Sequence, residues 1–315
     1  MKRIFEWLPD QVDARVRLFA WLSLITELAI VATGGAVRLT ESGLGCPTWP
    51  SCTPGSLIPT PEMGIHGAIE FGNRMMTGVV GIIAIITFLL LWRIRRERRD
   101  LLVLALLLGL GVLAQALVGG VTVLTGLNPF IVGFHFAASL AMVCVAAALL
   151  HRVYAVPGAR ELAVPKWFAG LAHSTSFVVA VTIAMGILTT ASGPHSGDVD
   201  AIRSGFNVEL FEHFHAWPGY ATVALTVALL VASVARGLPA SGWVVVLLVI
   251  EIVQILVGLI QANTGLPPLL VGIHMVLACL LAAAMTIVIL HLKAPVSARI
   301  ASPESIPAVA SVRCS

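Results

Sequence analysis

Long apolar segments alternate with short polar ones along the whole chain. Eight of the segments are close to the length of about 20 residues that a helix needs to cross a bilayer. They lie at residues 17–37, 68–92, 101–124, 131–153, 166–190, 209–235, 242–262 and 269–292. The apolar runs are continuous, whereas strands of membrane β-barrels alternate over about ten residues. The pattern predicts an all-α integral membrane protein with eight transmembrane helices, the first too long to be a cleaved signal peptide.

Composition agrees with a chain that has lipid as its solvent. Hydrophobic residues make up 58% of it and charged residues 11%, against roughly 25% charged residues in soluble domains. Sixteen of the nineteen basic residues fall on one side of the predicted spans: Lys2, Arg3, Arg15, Arg17, Arg93, Arg95, Arg96, Arg98, Arg99, Arg152, Arg160, Lys166, Arg236, Lys293, Arg299 and Arg313. The positive-inside rule predicts a cell-membrane protein with both termini cytoplasmic, and no nucleic-acid partner is needed to explain the charge.

The third and fourth spans repeat as the seventh and eighth. At a fixed shift of 139 residues, His135 falls on His274 and Gln115 on Gln254. The segment TGLNPFIVGFH likewise falls on TGLPPLLVGIH. So many matches at one shift indicate an internal duplication.

The other two spans of each half match more weakly. GGAVRLTESGLG follows the first span and GILTTASGPHSG follows the fifth, while Glu70-x-x-Asn73 corresponds to Glu212-x-x-His215. Because both halves begin on the same side, we predict two pseudo-symmetric four-helix bundles related as a parallel repeat. The halves are residues 1–160 and 161–315, with a disordered cytoplasmic tail from about residue 295.

Three histidines lie at similar depth near the outer ends of their spans. His274 and His135 lie roughly 7–9 Å below the outer end at 1.5 Å per residue, and His215 is about as deep. In the second half, His215 and His274 can face each other across the bundle, which suits an axial pair for haem iron. A lone histidine in a span is more often a packing residue, but repetition at one depth favours metal ligands.

The first half differs at one position. His135 lacks an equivalent histidine partner, because Asn73 stands where the second half has His215. Glu70 lies one helical turn from Asn73, and Arg74 could pair with its carboxylate. Glu70 could handle protons or water beside a bound substrate, or it could be an interfacial charge. His66, on the same helical stripe, could supply the missing ligand or could face the outer loop.

The first outer loop contains Cys46 and Cys52 in GCPTWPSC. A close pair outside the cytoplasm can oxidise, so we predict a disulfide. The alternative is a redox-active or metal-binding pair. Cys144 and Cys279 fall inside predicted spans, and Cys314 falls in the tail.

Five motifs together resemble the haem A synthase family, which serves terminal oxidase assembly. They are GGAVRLTESGLGCPTWPSC, EFGNR, TGLNPFIVGFH, TASGPHSGD and TGLPPLLVGIH, spread over most of residues 30–290. The resemblance implies oxidation of the C8 methyl of haem O to a formyl group, through hydroxylated intermediates. The chain would then be an oxidoreductase, with haem b as cofactor and haem O as substrate.

The resemblance also implies roles for individual residues. His215 and His274 would hold haem b, and Cys46 and Cys52 would match the bacterial outer-loop pair. The site for haem O would include His135 as a metal ligand and Glu70 as the catalytic residue, with His66, Asn73 and Arg74 beside them. The commoner family pattern is E-x-x-H-R where this chain has Glu70-x-x-Asn73-Arg74, so His66 is the nearest candidate for the replaced ligand.

Two other functions remain open from the sequence. A di-haem cytochrome b-type electron-transfer protein would carry equal histidine pairs in both halves, and Asn73 argues against it. A haem carrier would more usually show inverted repeats. For the synthase, the expected partners are haem O, handed over by a haem O synthase, an unidentified electron donor, the lipid bilayer, and a second copy of the chain if it forms an oligomer.

Overall fold

The computed structural model describes residues 8–296. Over that range the chain forms eight long helices, each apolar enough to cross a membrane, which confirms the predicted all-α membrane fold. They are α1 Ala14–Leu39, α2 Gly64–Leu91, α3 Arg99–Leu124, α4 Pro129–Val153, α5 Lys166–Ser192, α6 Val208–Ala235, α7 Ser241–Asn263 and α8 Pro268–Leu290. A short 3-10 helix, Pro61–Met63, precedes α2. The predictions for Lys2, Arg3, Arg299, Arg313 and Cys314, and nearly all of the predicted disordered tail, lie outside the described residues.

Helices α1, α4 and α6 begin one to three residues before the predicted apolar segments, where polar side chains satisfy the first backbone N–H groups. Asp13 caps α1, its carboxylate accepting a hydrogen bond from the Val16 N–H at 3.1 Å. Asn207 caps α6 in the same way, accepting from the Leu210 N–H at 2.9 Å. Apolar length alone therefore underestimates these helices, by five residues in α1, which is 26 residues long against the predicted 21.

Each half is a ring of four helices. In the first, α1 and α3 each pack against both α2 and α4, and in the second, α5 and α7 each pack against both α6 and α8. The halves meet where α8 packs against α4 and α1, and where α5 packs against α4. Exchanging α1 with α5 and α4 with α8 leaves this set of packed pairs unchanged, as the predicted duplication requires.

The two turns that join α3 to α4 and α7 to α8 have the same backbone conformation. Gly126 and Leu127 have φ of 60° and 59°, and Gly265 and Leu266 have φ of 78° and 58°. In both turns the leucine N–H donates to the carbonyl five residues earlier at 2.8 Å. A left-handed leucine is rare, so its recurrence supports a duplicated local structure.

Loops from both halves join at one end of the bundle, which we name the disulfide end (residues 40–60, 125–128, 193–207 and 264–267). Arg38 donates from Nε to the His195 carbonyl at 2.7 Å. The His195 ring in turn donates from Nε2 to the Leu266 carbonyl at 2.8 Å. The Gly43 N–H donates to the Gly197 carbonyl at 2.8 Å. These bonds fix the loops of one half against the other.

A short antiparallel strand pair at the opposite end was not predicted. Strand β1 (Arg160–Leu162) lies in the linker between the halves and pairs with β2 (Lys293–Pro295), just after α8. It ties the linker to the end of the last helix. Strand β2 ends at Pro295, the position at which the disordered tail was predicted to begin.

Candidate functional site

The second half brings His215 and His274 face to face. His215 is on α6 and His274 on α8, each within two turns of the disulfide end of its helix. Their ring centroids are 6.0 Å apart and the rings are nearly perpendicular, at 81°. Two imidazole nitrogens each about 2 Å from one metal atom place their ring centroids about 6 Å apart. The spacing therefore fits one metal atom between the rings.

The backbone fixes the orientation of the His215 ring. Its Nδ1 lies 2.9 Å from the Thr182 carbonyl of α5. A carbonyl only accepts hydrogen bonds, so Nδ1 carries the proton and the Nε2 lone pair is free for a metal. The ring lies directly against the α5 backbone at Gly186, where an added Cβ would be 2.8 Å from His215 Cε1.

His274 lies against a glycine in the same manner. A Cβ at Gly258 of α7 would be 3.1 Å from His274 Cε1. The backbone carbonyl of His274 accepts a hydrogen bond from Gln254 Nε2 at 3.1 Å. Its buried Nδ1 lacks a hydrogen-bond partner among residues 8–296. A buried imidazole nitrogen without a partner is costly unless something binds this ring.

His135 of the first half has the surroundings of His274. A Cβ at Gly119 would be 3.4 Å from His135 Cε1, and Gln115 Nε2 donates to the His135 carbonyl at 3.0 Å. The buried Nδ1 of His135 is again without a partner in the described part of the chain. Gln115 also donates to Ser139 at 2.6 Å, an interaction that the second half cannot copy, since Ala278 stands there.

Asn73 occupies the position of His215 in the first half. Gly34 of α1 faces Asn73 as Gly186 of α5 faces His215, although the first approach is looser, at 3.9 Å. The Asn73 side-chain oxygen accepts a hydrogen bond from Thr33 at 2.7 Å. The first half therefore has a hydrogen-bonded amide, that of Asn73, beside Gly34. The second half has the imidazole of His215 beside the equivalent Gly186.

Glu70 and Arg74 form an ion pair that holds the first outer loop. Arg74 Nη2 lies 2.5 Å from Glu70 Oε1, and Glu70 Oε2 accepts from the Cys46 N–H at 2.5 Å. Glu70 is 4% exposed. Arg74 also donates to the carbonyls of Cys46, Thr48 and Ser51, at 2.8, 2.9 and 3.2 Å. The predicted pairing of these two residues is present, and it extends to the backbone of the loop.

Cys46 and Cys52 form the predicted disulfide, and both residues are fully buried. The bond closes residues 46–52, which we name the disulfide loop. His66 lies beside this region, with Nδ1 2.9 Å from the Ser42 hydroxyl. His66 is exposed, so its other nitrogen is accessible, and its role as a replacement ligand stays a prediction.

The remaining free cysteines of the described chain are Cys144 and Cys279. They lie inside α4 and α8, as predicted, where the two halves pack. The buried carboxylates Glu27 and Glu251 also lie within spans. Glu251 accepts a hydrogen bond from Thr226 at 2.8 Å, and we have no account of its role.

The histidine sites fit haem by three observations. One pair has the spacing for a shared metal atom, two buried Nδ1 atoms lack partners within residues 8–296, and each ring lies against a glycine. The described residues contain no group of three or more metal-ligating side chains. A closed zinc site needs about four ligands, whereas haem iron takes one or two from protein.

Sequence reasoning missed several residues that shape these sites. Gly119 and Gly258 correspond at the same shift of 139 residues, but their contact with the histidine rings depends on how α3 and α7 pack. Arg38, which bonds the two halves, was not singled out. A signal was available, since Arg38 is one of the three basic residues that do not fall on the predicted cytoplasmic side.

Residues 17–194 match the family described as cytochrome oxidase assembly protein. The chain is 39% identical over 134 residues to the heme A synthase of Lysinibacillus sphaericus (strain C3-41), covering 41% of this chain and 42% of the relative. It is 36% identical over 128 residues to that of Bacillus cereus (strain AH187), covering 39% and 40%.

The aligned region thus spans about two fifths of the length of these relatives. The family match is longer and covers more than half of this chain, from the first helix to the end of α5. It includes His135, the Glu70–Arg74 pair and the disulfide loop. On this evidence the chain is a member of the cytochrome oxidase assembly protein family.

Proposed function

We propose that the chain is a haem A synthase, which oxidises the C8 methyl group of haem O to a formyl group. The observation that supports this most is the inequality of the two halves. The second has a facing histidine pair, whereas the first has His135 and, at the position equivalent to His215, the hydrogen-bonded amide of Asn73. The names of the similar proteins point to the same activity. An electron-transfer protein with two equal haems would not need this difference.

In this proposal the second half holds haem b as a resident cofactor. His215 and His274 would hold the haem, and the Thr182 carbonyl keeps the His215 Nε2 free to bind. A haem held by two imidazoles would supply electron-transfer chemistry rather than a site for substrate. This half would therefore relay electrons.

The first half binds the substrate, haem O. His135 provides one ligand, and Asn73 is a poor ligand, so one face of the iron stays open. The site lies within a bundle of apolar helices, which matches a substrate with a farnesyl tail and keeps bulk water away from the reacting carbon. The chain's own contribution is to bind and orient the macrocycle.

The protein cannot remove the methyl hydrogens by acid–base chemistry alone, because a methyl C–H bond is not acidic. Conversion of the methyl group to a formyl group removes four electrons and adds one oxygen atom, so an oxidant and an oxygen source, O2 or water, must take part. The haem groups would supply the redox chemistry. Side chains of the site then have to accept the protons released as the methyl carbon is oxidised. Glu70 is the carboxylate that we assign to this task, and Arg74 balances its charge while it is buried.

Glu70→Gln is expected to lower the rate of haem A formation at least about a hundredfold, the lower end of the range that a general base contributes. The amide keeps the size of the side chain but cannot accept a proton. The measurement is the ratio of haem A to haem O in cell extracts, separated by chromatography. Full conversion by the variant would show that Glu70 does not handle protons.

The proposed setting is the cell membrane, with both termini cytoplasmic and the disulfide end outside. Haem O would reach the first half through the bilayer, handed over by a haem O synthase. An electron donor is required and its identity is open, as is the formation of oligomers. The disulfide fits this orientation, because such bonds persist outside the cytoplasm.

The function is tested in cells that make haem O and lack haem A. Expression of the chain is expected to produce haem A, detected by chromatography and by the mass of the extracted haem. An empty vector gives the baseline. Unchanged haem composition, together with haem b bound to the purified protein, would instead identify a di-haem cytochrome b-type relay.

A further inference from the structure

Trp49, in the middle of the disulfide loop, lies directly against helix α3. A Cβ added at Gly120 would be 2.5 Å from Trp49 Cδ2 and 2.6 Å from Cε2. Real Cβ atoms do not approach so closely, so only glycine allows this indole ring to lie on the helix backbone. The Trp49 side chain is half-buried, and part of its surface is therefore free for another contact.

The neighbouring residue of α3 brings this ring to the first-half site. Gly119 faces the ring of His135, and Gly120 faces Trp49. Consecutive residues of a helix are 1.5 Å apart along the axis and about 100° apart around it. His135 and Trp49 therefore contact neighbouring faces of α3 at nearly the same depth.

The second half lacks this feature. The residue that corresponds to Gly120 at the shift of 139 is Leu259, while Gly119 keeps its counterpart Gly258. The leucine side chain fills the surface on which an indole would lie. The close-packed aromatic ring therefore distinguishes the half proposed to take substrate from the half proposed to keep its cofactor.

The disulfide loop is held rigidly enough to position this ring. Arg74 donates to the carbonyls of Thr48 and Ser51, one residue before and two after Trp49, at 2.9 and 3.2 Å. The Cys46–Cys52 bond closes the loop. A ring fixed by its loop loses little freedom when it binds a flat ligand.

We propose that Trp49 is a substrate-binding residue, which forms one wall of the first-half site and stacks on the macrocycle of the haem bound by His135. The ion pair of Glu70 and Arg74 positions Trp49 through the loop backbone. This inference rests on the proposed function, since it assigns the wall of the site in which haem O would bind. It gives the first half a residue for recognising the flat macrocycle that the second half lacks.

The test measures haem binding to the first half by itself. In the full-length chain with His215→Ala and His274→Ala, the second-half ligands are absent. The purified protein in detergent is titrated with haemin, which has the same macrocycle, and the Soret band reports binding. We expect Trp49→Leu to weaken haemin binding roughly tenfold and Trp49→Phe to keep it within about threefold, because a flat ring stacks and leucine does not.

Gly120→Ala is a second variant, which keeps Trp49 but displaces its ring. It is expected to weaken haemin binding as Trp49→Leu does. Gly109→Ala is the matched control on α3, three turns away on the same helix face, where an added Cβ meets nothing within 4 Å among the described residues. It is expected to bind haemin like the parent. Elution volume in size-exclusion chromatography checks that each variant is folded.

The outcomes separate this proposal from the proposed function. If the parent with Trp49 intact binds no haemin, the proposed first-half site fails, and the role of Trp49 fails with it. If the parent binds haemin and Trp49→Leu binds it equally well, the stacking role alone is overturned. Equal weakening by Trp49→Phe and Trp49→Leu would likewise overturn it. That result would mean that Trp49 only holds the loop in place and that a flat ring is not needed to bind haemin.

Discussion

Replacing His274 with alanine is expected to remove haem b from the second half of the protein. Mutation of residues that merely support a metal ligand typically costs 10–100-fold in affinity, so loss of the ligand itself should lower haem b content by at least about tenfold. In the variant, His215 is left as a single ligand, because the second imidazole of the pair, whose centroid lies 6.0 Å from that of His215, is absent. The measurement is the visible spectrum of the purified protein, with haem quantified after extraction.

A variant that leaves both histidines intact tests the same geometry. Gly186→Ala would place a Cβ 2.8 Å from His215 Cε1, so the ring has to move away from α5. The same change at Gly170, also on α5, meets nothing within 4 Å in the described structure. We expect the first variant to lose haem b and the second to retain it. A normal haem spectrum in both His274→Ala and Gly186→Ala would contradict the facing-pair site.

Replacing His135 with alanine is expected to abolish haem A formation while haem b remains bound. His135 is the proposed ligand of the substrate iron, and its Nδ1 lacks a partner within residues 8–296. Asn73 cannot take over, because its side-chain oxygen already accepts a hydrogen bond from Thr33. We expect the yield of haem A to fall at least about tenfold, on the same ligand-loss argument. The yield is measured in extracts of cells that make haem O.

The control for His135→Ala is His173→Ala, a change of the same kind at an exposed residue of α5. It should leave both the haem A yield and the haem b spectrum unchanged. If His135→Ala made haem A at the normal rate, the substrate would have to be held elsewhere, with His66 as the next residue to test. If it lost haem b as well, the two halves would not be independent sites.

The duplication explains why much of the fold could be predicted. Two glutamines, two histidines and two left-handed turns recur at one shift in the sequence, and each recurs in the structure with the same hydrogen bonds. The depth of each histidine follows from counting residues along a helix. Contacts between different helices, such as Gly186 of α5 against His215 of α6, depend on how the helices pack and could not be predicted from the sequence.

The contacts of Glu70 could not be predicted from the spacing of residues within its own helix. The sequence placed Glu70, Asn73 and His66 on one stripe of α2, and the structure keeps them there. Their partners come from elsewhere: the Cys46 N–H, Thr33 and Ser42. Helical spacing predicts which side chains share a face, but what meets that face depends on loops whose path the spacing does not describe.

By itself the sequence determined the membrane class, the eight spans, the disulfide and the depth of each histidine along its helix. These properties depend on composition and on periodicity within single segments, where the rise of a helix and the cost of burying polar groups in lipid leave few choices. The tertiary structure alone decided that His215 and His274 face each other, and that Arg74 holds the loop that sets Trp49 on Gly120. Those contacts join residues far apart in the chain, and their distances depend on how whole helices pack.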